Sequence, residues 1–251
     1  MTLQEFFREN NKVALGFSGG VDSSYLLYAA TKYGADVQAY FVKSQFQPEF
    51  ELEDARRLAD EVGAGLCIME LDALCDPDVA RNPEDRCYYC KNNVFGNILA
   101  QAAKDGYSVI IDGTNASDDA SDRPGTRALA EMKVRSPLRE CGLTKDDVRR
   151  LSREAGLFTW NKPSYACLAT RIPHGEEITD DKLHRVEGAE NVLRMMGFSD
   201  FRVRKRGDTG LIQVPECQMV SVIRLREEIA LGIRPYFEKI ALDLEGRKAH
   251  D

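Results

Sequence analysis

An apolar stretch, Val13-Ala14-Leu15-Gly16-Phe17, runs into Ser18-Gly19-Gly20-Val21-Asp22-Ser23, and a helical pattern follows through Tyr33. Strand, glycine turn and helix N-terminus in that order constrain the chain more than any other feature. Successive amides at such a turn, Val21 included, form an anion cradle, and the helix dipole adds partial positive charge. Gly19 and Gly20 let the backbone approach phosphates without Cβ clashes. Ser18 and Ser23 offer hydroxyl donors, and Asp22 offers a carboxylate able to hold a Mg²⁺ that bridges phosphate oxygens. The turn has no lysine, which excludes a Walker A loop.

The pattern around the turn predicts a parallel sheet. Strands are expected at Lys12 to Phe17, Val37 to Val42, Leu66 to Leu71 and Val109 to Asp112. Helices are expected between them at Ser23 to Tyr33, Glu51 to Val62 and Lys91 to Lys104. Strands alternating with ten-residue helices imply an α/β fold, a parallel sheet with helices on both faces. Ligands of such sheets bind beyond the carboxyl ends of the strands, so Gly113, Thr114 and Asn115 are expected to share a cleft with the glycine turn. Thr144 and Asp147 form a capping pair opening a further helix. Trp160 to Gly175 reads as a loop, with Pro163, Pro173 and Gly175 and few periodic apolar residues. Beyond it a helix opens at Thr179, two strands flank Arg206-Gly207-Asp208, and a last helix runs from about Met219 to Leu231. The expected division is a nucleotide domain at 1–160, an interdomain loop at 161–175 and a small C-terminal α/β domain at 176–251, serving substrate binding or oligomerisation.

Bulk properties narrow the class. The 251 residues are 43% hydrophobic, enough for one large core or two modest ones. No run approaches the ~18 apolar residues of a membrane span, and Met1 to Arg8 does not read as a signal peptide. A net charge of −7 argues against broad nucleic-acid affinity. Seven cysteines in such a chain are expected to be free or ligating, in a cytoplasmic setting. Cys67, Cys141 and Cys217 read as small core hydrophobes, and Cys75 fits either reading. Cys87-Tyr88-Tyr89-Cys90 is a metal or redox pair, and Cys167 lies in a proline-bearing loop with Lys162 and Arg171 as cations that would activate its thiol. Cys87, Cys90 and Cys167 are one thiolate short of a full set, so a [4Fe–4S] cluster on them would keep one open iron for an extra sulfide. Zinc is the less favoured alternative, with His174 the nearby fourth ligand.

Several segments agree with one family. They are the glycine turn, Asn82-Pro83-Glu84-Asp85-Arg86-Cys87-Tyr88-Tyr89-Cys90-Lys91, Asp112-Gly113-Thr114-Asn115, Arg123-Pro124-Gly125 and Val134-Arg135-Ser136-Pro137-Leu138. Lys162 to Leu168, Arg171-Ile172-Pro173-His174-Gly175 and Arg202-Val203-Arg204 complete the set. The turn resembles the pyrophosphate loop of enzymes that cleave ATP to AMP and pyrophosphate. The combination resembles the LarE family, ATP-dependent sulfur transferases that help build the nickel-pincer nucleotide cofactor of lactate racemase. The resemblance implies an adenine nucleotide alpha-hydrolase-like, Rossmann-like fold and a homo-oligomer. It implies a nucleotide-like substrate, a pyridinium mononucleotide with two carboxylates, one of which is adenylated and then attacked by sulfur. Cys167 maps to the sulfur-donating cysteine, either sacrificed to dehydroalanine or joined by Cys87 and Cys90 around a cluster. Arg202 and Arg204, two apart on a strand, share a face and suit a substrate phosphate, and by resemblance Glu190 joins them. Arg171 is counted with the substrate residues, and Trp160 suits either stacking on the pyridinium or packing. Gly210-Leu211-Ile212-Gln213-Val214 departs from the family's Ala-Arg-Ile-Glu-Val-like stretch. Competing readings are a tRNA thiolase of the same superfamily and a non-catalytic adenine-nucleotide sensor.

Overall fold

In the computed structural model, residues 1–118 and 124–247 are described. In chain order the elements are α1 (Leu3–Glu9), β1 (Lys12–Gly16), α2 (Val21–Lys32), β2 (Asp36–Lys43), α3 (Glu49–Val62) and β3 (Gly65–Glu70). Then come α4 (Pro77–Ala80), α5 (Arg86–Lys104), β4 (Val109–Ile111), α6 (Pro124–Glu131), α7 (Pro137–Glu140) and α8 (Lys145–Glu154). The chain continues through α9 (Asp180–Met195), β5 (Arg202–Arg206), β6 (Thr209–Gln213), α10 (Glu216–Arg224), α11 (Arg226–Ile233) and β7 (Lys239–Leu242). They form two compact units: Met1–Ala73 with Asp85–Lys162, and Leu74–Glu84 with the chain from Pro163 onward.

The first unit is built on a sheet of order β3-β2-β1-β4, every pairing parallel. Val13, Ala14 and Leu15 are fully buried because β1 is paired on both edges and covered on both faces. Alternation sorts their side chains. Val13 and Leu15, with Ala39 and Phe41 of β2, meet Phe6 and Phe7 of α1, Leu26 of α2, Leu58 of α3 and Val148 of α8. Ala14, with Tyr40 and Val42, meets Phe95 and Ile98 of α5 on the other side. The chain steps outward from β1 to β2 to β3, then returns to place β4 on the opposite edge of β1. The connections leaving β1 and β4 therefore part, and the crevice between them is where such sheets hold ligands. Arg135 adds a parallel bridge to Ile111, with its amide donating to Ile110 O and its carbonyl accepting from Asp112 N.

The second unit pairs β5 antiparallel to β6 and β6 parallel to β7. Leu183, Val186, Ala189 and Leu193 of α9 are buried, as are Val203, Ile212, Ile229, Ile233 and Phe237. Asn82, buried and at φ +56°, ties α4 into this unit: its Nδ2 donates to Pro173 O at 2.8 Å and Glu176 O at 3.1 Å.

The expected α/β architecture is the observed one, and the differences are local. α5 begins at Arg86, earlier than the apolar pattern suggests, so Cys87 and Cys90 lie in its first turns. The single last helix is two, broken at Leu225. Helix α1 and strand β7 carried no strong periodic signal in stretches of 7 and 4 residues. Cys217 is exposed, not a core residue, while Cys67 and Cys141 are half-buried. Arg123 lies outside the described residues. Among the described residues no helix is long and apolar enough to cross a membrane.

Candidate active site

The turn after β1 is shaped by its glycines. Gly19 sits at φ +69°, and a Cβ there would lie 3.2 Å from Glu51 O and 3.5 Å from Ala55 Cβ. Only glycine takes this backbone without strain while the turn rests on α3. Gly20 is the N-cap of α2 and offers no side-chain cap, and the first intrahelical bond runs from Ser24 N to Gly20 O. The amides of Val21, Asp22 and Ser23 precede that bond and point out of the helix start, the arrangement that binds anions. Ser18 Oγ and Ser23 Oγ lie 3.0 Å apart, and Ser23 Oγ also accepts from Ser18 N at 3.3 Å. The two serines thus close the turn on itself.

The loop after β4 reaches the same helix start. A Cβ on Gly113 would lie 2.8 Å from Ser23 N, so only glycine allows this approach. Asn115 Nδ2 donates to Asp22 Oδ1 at 3.2 Å, joining both loops through one carboxylate. Thr114 Oγ1 donates to Asp112, whose Oδ1 also accepts from Ser136 Oγ at 2.7 Å. Lys145, the first residue of α8, pairs with Asp22 Oδ2. Lys162 donates to Gly19 O at 3.1 Å and pairs with Asp54 at 2.7 Å. Sequence reading missed Lys145, whose one signal is its place directly after the Thr144 cap. It also gave Lys162 to Cys167 as an activating cation, whereas the ammonium is held by Gly19 and Asp54. A magnesium ion bridging nucleotide phosphates needs one or two protein carboxylates. Asp22, part-exposed at the helix start, fits that demand.

Cys87 is exposed and Cys90 half-buried, three residues apart on one face of α5. Two soft thiolates one turn apart suit an iron–sulfur or zinc ligand pair. Among the described residues no group of three or more His, Cys, Asp or Glu side chains is assembled to hold a metal. His174 Nδ1 lies 3.2 Å from Pro83 O, a contact that leaves Nε2 as the ring's ligand atom, but among the described residues it belongs to no such assembled group. Trp160 is half-buried, with Arg153 5.0 Å over its ring and Arg149 donating to its carbonyl at 3.0 Å. One face of the indole is thus occupied by a cation of α8.

In the second unit the sulfur-bearing loop is held by guanidinium groups. Arg171, fully buried, makes a two-point pair with Glu190 of α9, Nε to Oε1 at 2.7 Å and Nη2 to Oε2 at 3.0 Å. Its Nη1 donates to Ala166 O at 2.8 Å and Cys167 O at 3.3 Å. Burial opposes that charge, but Glu190, Tyr165 and Cys167 hold the guanidinium above its ordinary range. Glu190 also accepts from Val203 N at 2.9 Å and from Tyr165 Oη. Tyr165, which sequence reading passed over, lies between Arg171 at 4.5 Å and Arg202 at 5.0 Å from its ring. Arg202 donates to Phe201 O and Ser164 O, and Arg204 to Gln213 Oε1 and Thr170 O, both at 2.7 Å. Burial, then Arg171 and Arg247 nearby, push Arg202 down to about 10, and burial with Arg171 lowers Arg204. Cys167 itself is half-buried, so its thiol is neither entombed nor fully exposed.

Comparison with known proteins places this architecture. The asparagine synthase family profile matches residues 4–119, from α1 past Asn115. The chain is 36% identical to an uncharacterised protein of Synechocystis, over 97% of this chain and 92% of that protein. It is 33% identical to the pyridinium-3,5-bisthiocarboxylic acid mononucleotide synthase of Lactiplantibacillus plantarum, over 98% of this chain and 90% of the synthase. A tRNA-specific 2-thiouridylase of Clostridium botulinum shares 24% identity over 88% of this chain and 75% of its own. A likeness to the synthase that runs through both units, on top of a nucleotide fold shared more widely, makes this chain a member of the LarE family and an ATP-dependent sulfurtransferase.

Proposed function

We propose that the protein converts a carboxylate of a pyridinium dicarboxylate mononucleotide into a thiocarboxylate, for nickel-pincer cofactor synthesis. What carries this reading is Cys167, a part-accessible thiol in a loop gathered by arginines, in a chain that also holds an open phosphate cradle. In this reading 1–160 is the nucleotide domain, 161–175 the cysteine-bearing loop and 176–251 the substrate and oligomerisation domain. The cradle of Ser18, Gly19, Gly20, Val21 and Ser23 holds the leaving pyrophosphate. Gly113, Thr114 and Asn115 bound the nucleotide, and Asp22 would hold a Mg²⁺, which when bound would neutralise phosphate charge. A substrate carboxylate oxygen attacks the α-phosphorus of ATP, and pyrophosphate leaves with its electron pair. The acyl adenylate is a better acyl donor than the carboxylate because AMP replaces oxide as leaving group. Sulfur then attacks the carbonyl carbon, and AMP departs with the former carboxylate oxygen. Arg202, Arg204 and Glu190 form the substrate phosphate site, Arg171 is a further substrate residue, and Trp160 stacks on the pyridinium.

Two sulfur sources fit the residues. If Cys167 gives its own sulfur, its Cα–H is removed, the Cβ–S bond breaks and dehydroalanine remains. Cys87, Cys90 and Cys167 would otherwise hold a [4Fe–4S] cluster, which when bound supplies an added sulfide. Exposed Val220, Ile223 and Leu231 on α10 and α11 support a homo-oligomer, and the setting is cytoplasmic. The test is pyrophosphate release with Mg²⁺, ATP and a carboxylated pyridinium mononucleotide, followed by intact mass. Substrate-dependent pyrophosphate is expected, and Cys167 lighter by one H₂S marks the sacrificial route. ATP bound unchanged, with no pyrophosphate, leaves a nucleotide sensor instead.

A further inference from the structure

The arginines given above to the substrate phosphate already have acceptors, and those acceptors belong to the loop that carries Cys167. Arg202 holds Ser164 O, Arg204 holds Thr170 O at 2.7 Å, and Arg171 holds Ala166 O and Cys167 O between them. Four carbonyls within the seven residues from Ser164 to Thr170 are thus drawn onto guanidinium groups. The charge count is uneven. Arg171 is matched by Glu190 at 2.7 Å and Arg247 by Asp200 at 3.0 Å. Among the described residues Arg202 and Arg204 hold neutral acceptors only: three carbonyls and the Gln213 amide oxygen. Two buried or half-buried guanidiniums with no hydrogen-bonded anion match the charge of a phosphate monoester near neutral pH. A phosphate oxygen is also a stronger acceptor for arginine than a peptide carbonyl, and takes two donors at once.

We propose that Arg202 and Arg204 are positioning residues for Cys167 as well as phosphate ligands, exchanging the Ser164 and Thr170 carbonyls for the substrate's phosphate. Phosphate entry then loosens both flanks of the loop while Arg171, neutralised by Glu190, keeps its hold in the middle. Cys167 becomes free to move only when the substrate is in place, which limits loss of its sulfur to other electrophiles. The inference rests on the substrate phosphate reading above.

The experiment follows alkylation of Cys167 by iodoacetamide in the full chain, read by peptide mass mapping, during titration with inorganic phosphate. Exposed Cys217 of the same unit is the internal reference. Phosphate binding is measured separately by equilibrium dialysis. The expected result is a several-fold faster modification of Cys167, saturating at the phosphate concentration that saturates binding, with Cys217 unchanged. Arg204→Ala should raise the rate without phosphate and abolish the response, and Arg204→Lys should restore part of it. The wild-type titration decides the matter even if Arg204→Ala does not fold. Bound phosphate with a flat or slower Cys167 rate overturns the exchange and leaves the phosphate site standing. Failure of phosphate to bind overturns both.

Discussion

Gly113 and Glu190 show how single side chains, or their lack, set this chemistry. A Cβ on Gly113 would press on the Ser23 amide at 2.8 Å, against backbone that cannot give way without moving the start of α2. Gly113→Ala is expected to raise KM for ATP about tenfold or more, ~1.4 kcal/mol of lost binding, while circular dichroism stays native. Glu190 acts differently: it is the counter-charge of a fully buried Arg171 and an acceptor for Val203 N. Removing one partner of a buried pair leaves the other uncompensated, at a cost of about 3–5 kcal/mol. Glu190→Gln should lower unfolding stability by that order in urea titration, and an unchanged midpoint would show that Arg171 finds another anion. Gly113 was legible in the sequence as a member of a motif, and Glu190 only through the family resemblance. Their partners were not, because neither the separation of 19 residues between Arg171 and Glu190 nor any periodicity encodes which donor meets which acceptor.

At the scale of elements, helix starts do most of the positioning. α2 begins at a bare glycine cap, which leaves its first amides for a ligand. α8 begins at a full capping box of Thr144 and Asp147, which fixes Lys145 as its first residue beside Asp22. Losing a threonine cap costs about 1 kcal/mol, so Thr144→Ala should lower thermal stability modestly and weaken ATP binding as Lys145 loosens, both measurable by thermal shift with and without nucleotide. The Asp147 carboxyl is held below its ordinary 3.8 by the Thr144 hydroxyl and then the Thr144 amide. A depressed folded value means this contribution is present above 3.8 and lost as pH falls through the folded value. The stability gap between wild type and Thr144→Ala should therefore narrow only below about pH 3.8, and a gap that closes near neutrality would rule out the capping box as its source. The Thr144 and Thr179 caps were readable from spacing alone. The early start of α5 was not, because Arg86 to Cys90 carries no apolar stripe and is helical through its continuity with the buried Phe95 and Ile98 turns.

Over the whole molecule, the chain passes between its two units after Ala73, Glu84 and Lys162. The segment from Asn82 to Lys91, one motif in the sequence, is therefore divided: Asn82 is anchored in the second unit, while Cys87 and Cys90 start a helix of the first. Lys162 and Cys167, five residues apart in one motif, are divided in the same way. For the proposed [4Fe–4S] cluster, anaerobic reconstitution of the full chain with iron and sulfide should give visible absorption that is lost in Cys87→Ala, in Cys90→Ala and in Cys167→Ala. Absorption that survives any one of these substitutions removes that cysteine from the ligand set.

The sequence by itself determined the parallel sheet, the phosphate cradle and the identity of the thiols, because strand and helix periods and glycine turns are local properties of the chain. Tertiary structure alone decided that Lys162 serves Gly19, that Lys145 meets Asp22 and that Arg202 and Arg204 gather the Cys167 loop. Those pairings join groups distant in sequence, and they are selected by burial, which forces each charge and each carbonyl to find a partner wherever packing brings one within reach.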